Sequence, residues 1–147
     1  MILLSRRGYL ALAAVTDIAI HARPAPVAAK ALAARLELPP RHLEALLQGL
    51  VHASILKGVR GPRGGYELAR ERRRITAAAV LRAVSIENGA DEAPDGRLVR
   101  QVVAPIVEAA GKVFLAELDT ITIDDICRRA EELKLWDKND PGPDFTI

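Results

Sequence analysis

The sequence predicts a mainly α-helical fold with one small β-hairpin, followed by a long helix that the rest of the chain is too small to cover. Three observations point there. Helical apolar spacing recurs in four segments before residue 86, a Gly/Pro turn separates two short β-prone pieces, and an apolar seam runs from Leu98 to Leu118.

Ser5 is placed to cap a first helix in which Tyr9, Leu12, Ala13, Thr16, Ala19 and Ile20 share one face. Arg23-Pro24-Ala25-Pro26 stops it. An Ala-rich second helix is expected from Val27 to Leu36, with Leu32 and Leu36 one turn apart. Pro39-Pro40 breaks the chain again and presets the first turn of a third helix, so the second and third helices must pack at an angle. In that third helix Leu43, Leu46, Leu47, Leu50 and Val51 form the expected buried stripe, leaving Arg41, His42, Glu44, Ala45, Gln48 and His52 on the other side.

Leu56 to Arg60 and Tyr66 to Ala69 flank Gly61-Pro62-Arg63-Gly64-Gly65 and read as a hairpin. After the basic run Arg70 to Arg74, Thr76 can cap a fourth helix whose inner face holds Val80, Leu81 and Val84. Residues 87–97 have loop composition. The seam beyond them comprises Leu98, Val102, Ile106, Ala109, Val113 and Leu118, with Val103, Ala110 and Phe114 beside it. Pro105 either kinks this helix or lies at its start near Ala104. Thr122 and Asp125 open a last helix carrying Ile126, Ala130 and Leu133, and an Asp/Pro/Gly-rich tail follows from Asp137. The expected organisation is a DNA-binding unit over 1–86, a linker over 87–97, dimerisation helices over 98–136 and a tail over 137–147.

Charge divides the chain more sharply than its overall +2 suggests. Residues 1–85 carry 14 basic and 5 acidic side chains, a net of +9, while residues 86–147 carry 7 and 14, a net of −7. A cationic half suits a polyanion, because Lys and Arg that neutralise phosphates release condensed counterions. Charged residues interrupt every apolar run before the roughly 18 positions a membrane span needs, and the N-terminus lacks a signal-peptide layout, so a cytoplasmic chain without a membrane partner is expected. Aromatic residues make up 3% of the chain, too few for a stacking platform for single strands. No Ser/His/acid constellation, phosphate loop or metal cluster points to an enzyme.

Helix, sharp turn, helix and hairpin on a basic segment is the order of a winged helix-turn-helix, whose second helix enters the major groove of double-stranded DNA. The residues at this point also resemble the Rrf-type family of bacterial winged-helix transcription regulators, which includes an iron–sulfur cluster regulator, a nitric-oxide sensor and a cysteine-metabolism repressor. The resemblance is carried by Leu43-Glu44-Ala45-Leu46-Leu47 with Leu50, by the run from Val59 to Arg70, and by Ile75-Thr76 with Val80-Leu81-Arg82-Ala83-Val84. It implies a sequence-specific regulator, acting as a repressor, that binds a pseudo-palindromic operator as a homodimer through Leu98, Val102, Ile106, Ala109, Val113 and Phe114. The alternative is a winged-helix interaction module controlled by a metabolic enzyme or other protein partner. A small-molecule effector is also open.

The same resemblance assigns base reading to Arg41, His42, Glu44 and Ala45. Arg41 suits a bidentate pair with guanine, and Glu44 suits a cytosine amino group while repelling other bases. A glutamine is common in the family where Ala45 stands, so contact there is left to a thymine methyl. Gln48 is placed to touch backbone or water, and His52 reads as a surface histidine. Arg60 and Arg63 flank the wing tip, where arginine suits a narrow minor groove, and Gly61, Gly64 and Gly65 allow close backbone approach. Arg6, Arg7 and Lys57 are candidate phosphate contacts or ordinary solvated charges. Glu37 stands where the family commonly has Gly, and Pro39 where it has a capping Ser or Thr.

Relatives with a cluster hold it with three cysteines between the fourth helix and the long helix. The corresponding stretch here, Ile86 to Arg97, has none, so no iron–sulfur cluster or other cofactor is expected. The chain's one cysteine, Cys127, shares a face with Ile123 and Ala130, which fits a buried structural thiol, a redox switch being the alternative. His21, His42 and His52 have no metal-site spacing.

Overall fold

In the computed structural model, which describes residues 4–85 and 96–135, helix α1 (Arg6–His21) opens on Ser5, whose hydroxyl oxygen accepts the Gly8 N–H at 3.2 Å. Helices α2 (Ala29–Arg35) and α3 (Pro40–His52) follow, then an antiparallel hairpin of β1 (Leu56–Val59) and β2 (Gly65–Leu68) in the register Leu56 to Leu68 and Val59 to Gly65. A short 3-10 turn (Arg72–Arg74) leads into α4 (Ala77–Ser85), where Thr76 accepts the Ala79 N–H at 3.1 Å. The core lies between α1, α3 and α4, where Ile18, Leu43, Leu47, Leu50, Ile75 and Val80 are fully buried. Each such side chain contributes roughly 1.5–3 kcal/mol of transfer free energy. The described chain is thus mainly α with one two-stranded hairpin, as the sequence predicts.

Four local expectations change. The buried sector of α1 is centred on Ala11, Ala14, Val15 and Ile18, and Tyr9 is 47% exposed. This helix is contacted by α2, α3, α4, α6 and β2, so apolar side chains lie nearly all round it and a single stripe cannot be picked by period alone. Val51 lies at the margin of the α3 stripe and is exposed. The second helix starts at Ala29 rather than Val27, because Val27 pairs with the wing instead: its N–H donates to the Tyr66 carbonyl at 2.9 Å, and the Tyr66 N–H donates back at 2.8 Å. Leu133 ends α6 on the solvent side, 53% exposed.

Helix α5 (Ala104–Leu118) is preceded by one wide π-helical turn (Val99–Val103) and continues its direction of winding, with Leu98, Val103 and Ala104 all in helical conformation. The Ala104 N–H reaches back five residues to the Val99 carbonyl, next to Pro105, which has no N–H to donate. Pro105 therefore lies at the start of the regular α-helix, which begins at Ala104 after the preceding π-helical turn. Helix α6 (Ile123–Glu132) starts with reciprocal capping, the Thr122 hydroxyl accepting from the Asp125 N–H and the Asp125 carboxylate accepting from the Thr122 N–H. Within the span 98–136 that the sequence groups together, two different parts emerge. No residue of α5 is buried, whereas α6 packs on α1 and buries Ile123 and Cys127 in the core of the head, the unit formed with residues 4–85. Backbone bonds from Ala77 to Ile121 and from Ile123 to Ile75, each 2.8 Å, hold it there. The expected linker over 87–97, apart from Gly96 and Arg97, and the tail over 137–147 lie outside the described residues.

Candidate nucleic-acid interface

Two buried carboxylates set the frame of the candidate interface. Asp17 on α1 is fully buried and accepts two hydrogen bonds of 2.8 Å from the Arg35 guanidinium, which fixes α2 against α1. Its side chain holds Arg35 above its ordinary pKa, first by the hydrogen bond, against the opposing effect of burial. Asp124 on α6 is 2% exposed and gathers Arg72 at 2.7 Å and Arg128 at 2.5 Å, with Arg73 at 3.8 Å. The hydrogen bond from Arg128, with attraction to Arg128 and Arg72, lowers the Asp124 pKa despite desolvation. Neither pair is signalled by the spacing of residues along the sequence. An acid in a fully apolar helix sector is the signal that would have found Asp17, since such a group is rarely buried without a partner.

Against this frame α3 divides cleanly. Leu43, Leu46, Leu47 and Leu50 are buried, while Arg41, His42, Glu44, Ala45, Gln48 and His52 are all exposed. Pro39 caps the helix without a side-chain hydrogen bond, Pro39 and Pro40 have no N–H to donate, and the His42 N–H donates to the Pro39 carbonyl at 3.0 Å, so the first turn of α3 is nearly closed within the chain and reading falls to its side chains. The preceding turn reaches its angle through Glu37, whose φ of 57° is left-handed, the conformation a glycine adopts at least cost. The Ile55 N–H donates to the Leu50 carbonyl at 3.0 Å, tying the start of the hairpin to the end of α3.

At the wing, Arg60 and Arg63 are exposed. Gly61 has φ of 117°, a value that excludes most side chains, whereas Gly64 and Gly65 serve the chain itself. A Cβ on Gly64 would run into the Val59 carbonyl oxygen, and one on Gly65 into the Val27 carbonyl oxygen. Two of the three wing glycines thus clear internal contacts, and Gly65 does so where the Val27–Tyr66 pairing anchors the hairpin to the head.

The cations sort into two groups. Arg6, Arg41, Arg60 and Arg63 have no acidic partner among the described residues, whereas Arg35, Arg72, Arg74, Arg82, Arg128 and Arg129 are all paired. Lys57 pairs across the hairpin with Glu67 at 2.9 Å, and Arg7 is half-buried at the start of α1. Arg23 and Arg70 join the unpaired group, exposed on a cleft of about 720 Å³ at the base of the wing. A lone arginine beside a proline or in a basic run carries no spacing signal, so neither stands out in the sequence.

Cys127 is fully buried, with its sulfur 3.9 Å from the Thr16 carbonyl oxygen. Burial pushes its thiol pKa up, against the pull of Arg72, which disfavours the reactive thiolate. Among the described residues no group of three His, Cys, Asp or Glu side chains could hold a metal ion, and no helix is long and apolar enough to cross a membrane.

Residues 4–129 match the pattern of the Rrf2 family, described as an iron-dependent transcriptional regulator. The transcriptional regulator IscR of Xenorhabdus nematophila is 31% identical over 127 residues, covering 78% of this chain and 77% of that protein. A putative regulator of Azotobacter vinelandii is 37% identical over 82 residues, which is half of that protein's length. Among solved structures, IscR of T. potens superposes with a TM-score of 0.67 at 33% identity, covering 89% of this chain and 90% of that one. CymR, the global cysteine regulator of B. subtilis, gives 0.65 at 27% identity over 88% and 98%. The iron in the family's description meets a donor set that does not fit it: iron–sulfur clusters need several thiolates, and the single cysteine of this sequence is buried in the head.

Proposed function

The chain belongs to the Rrf2 family of winged-helix transcription regulators, and on that premise we propose that it is a cytoplasmic repressor that grips a pseudo-palindromic operator as a homodimer. The observation that carries this reading is the uncommitted charge on the reading elements. Arg41 on α3 and Arg60 and Arg63 at the wing are exposed with no acidic partner among the described residues, as are Arg6, Arg23 and Arg70, while Arg35, Arg72, Arg74, Arg82, Arg128 and Arg129 are paired with acids. Arginines held without partners keep their full charge for phosphates and base edges.

In this reading α3 lies in the major groove. Arg41 reaches guanine, Glu44 accepts from cytosine and rejects other bases, Ala45 meets a thymine methyl, His42 reads a base edge, and Gln48 touches backbone or water. Arg60 and Arg63 enter the adjacent minor groove, and Arg6, Arg7 and Lys57 fall on phosphates. The exposed apolar residues of α5 close the dimer. Leu98, Val102, Ile106 and Val113 are 68, 47, 65 and 71% exposed, and Ala109 is exposed beside them. A second copy supplies the same apolar surface, and two-fold symmetry then sets two α3 helices about 34–36 Å apart, one turn of DNA. Phe114, expected at the same seam, is half-buried and lines the cleft between α5 and the head.

The test is binding selection from random duplex DNA with the purified chain, followed by two substitutions. Arg60→Ala is expected to weaken binding to the selected site by about 1–3 kcal/mol. Glu44→Ala should leave affinity nearly intact and relax the base choice at one position in each half-site. Enrichment of no sequence, together with unchanged affinity in Arg60→Ala at several salt concentrations, would sink the reading.

A further inference from the structure

Between the reading head and α5 lies a second cleft, of about 570 Å³, formed by the start of α1, the end of α4 and the middle of α5. Its walls are apolar: Gly8, Leu81 and Val84 from the head face Phe114 and Leu115 from α5. On its rim stand Glu108 and Lys112, one helical turn apart, both exposed and neither with an ion-pair partner among the described residues. Gly111 lies between them. A Cβ on it would meet nothing within 4 Å, and its φ lies outside the left-handed region. Glycine is among the poorest helix formers, so neither packing nor backbone conformation within this chain accounts for it. What Gly111 supplies is room in the cleft.

We propose that this cleft is an effector site for an apolar zwitterion, with the chemistry of an amino acid bearing a large aliphatic or aromatic side chain. The volume is in the range of small-molecule sites, about 300–1,000 Å³. The apolar side chain of the ligand fills the space over Gly111 between Leu81, Val84 and Phe114, its carboxylate meets Lys112, and its ammonium meets Glu108. A plain carboxylate would leave Glu108 repelling it from one turn away, and a plain amine would meet the same difficulty with Lys112. A bound ligand touches head and rod together and so biases the angle between them. In a dimer built on α5 that angle sets the spacing of the two α3 helices, and DNA affinity changes with occupancy. The coupling rests on the proposed function; the binding does not.

Calorimetric titration of the full chain without DNA separates the two. The probes are leucine, methionine, phenylalanine and tryptophan, with phenylpropanoate and phenethylamine as the single-charge controls. At least one amino acid should bind saturably, and phenylalanine, if it is that ligand, at least about tenfold tighter than either control. Gly111→Leu fills the space and improves the helix, so the variant should keep its helical circular dichroism and its oligomeric state while losing saturable binding. Gly111→Ala, a smaller insertion, should weaken binding without abolishing it. Lys112→Gln and Glu108→Gln should each erase the preference for the zwitterion. The proposal falls if none of the four amino acids binds at millimolar concentration, or if Gly111→Leu binds as the parent does. It falls also if Gly111→Leu turns a dimer into a monomer, which would make the cleft a seat for the second copy. Saturable binding with no effect on DNA affinity would retain the site and remove the coupling.

Discussion

Head and rod treat apolar side chains in opposite ways. In the head Ile18, Leu32, Leu43, Leu47 and Leu50 are fully buried, and its inward-facing acids Asp17 and Asp124 are matched by arginines. On α5 no residue is buried, although the helix carries Ile106, Val107 and Val113 at 65, 62 and 71% exposure. The head is a finished hydrophobic core, and the rod is half of one. Exposed apolar patches of this kind mark surfaces that another molecule covers, so under the proposed function the head's residues answer to folding and the rod's answer to assembly.

The largest effect should come from the head's buried charge. Asp17→Asn leaves the Arg35 guanidinium facing a neutral amide in a fully buried site and is expected to cost about 3 kcal/mol, the low end for a broken buried pair because Arg35 keeps some contact with water. Chemical denaturation gives the number. A loss no larger than that of a surface substitution would mean that α2 is held by its apolar residues alone.

The second effect is one of pH. The Asp124 pKa is lowered in the folded head, so its contribution is fully present above the unfolded-state value of 3.8 and is lost as pH falls through the lower folded value. Asp124→Asn should therefore be less stable than the parent at neutral pH, and the two should converge in acid. Parallel stability curves down to the acid limit would show that the Arg72–Asp124–Arg128 cluster does not stabilise α6.

A smaller effect, of opposite sign, is expected at the turn before α3. Glu37 has a left-handed backbone, and Glu37→Gly should stabilise the head by up to about 1 kcal/mol in thermal unfolding. A destabilised variant would mean that the gain in unfolded-chain entropy outweighs the relief of strain.

What the sequence made legible follows the same division. The α3 stripe apart from Val51, the hairpin and the capping residues Ser5, Thr76 and Thr122 are local signals, written within a few residues, and the structure bears them out. The α1 face, the Val27–Tyr66 pairing and the return of α6 to the core depend on contacts between distant segments, which periodicity does not encode. At the interface, residue types with a known geometry for bases or phosphates could be named, but the unpaired state of Arg23 and Arg70 appears only once every acid has a position.

The smallest effect on folding, and the sharpest contrast, belongs to the rod. Ile106→Ser with Val113→Ser removes two exposed apolar side chains and leaves no cavity, so the isolated chain should unfold within about 0.5 kcal/mol of the parent. Assembly should respond very differently. If α5 faces α5 in a dimer, the parent's unfolding midpoint rises with protein concentration because association stabilises the folded state by mass action, and the double variant's does not. At high dilution the two midpoints meet. Light scattering distinguishes the cases directly: a double variant that stays dimeric would move the interface off this face of α5, and one that unfolds at every concentration would show that the rod supports the head after all.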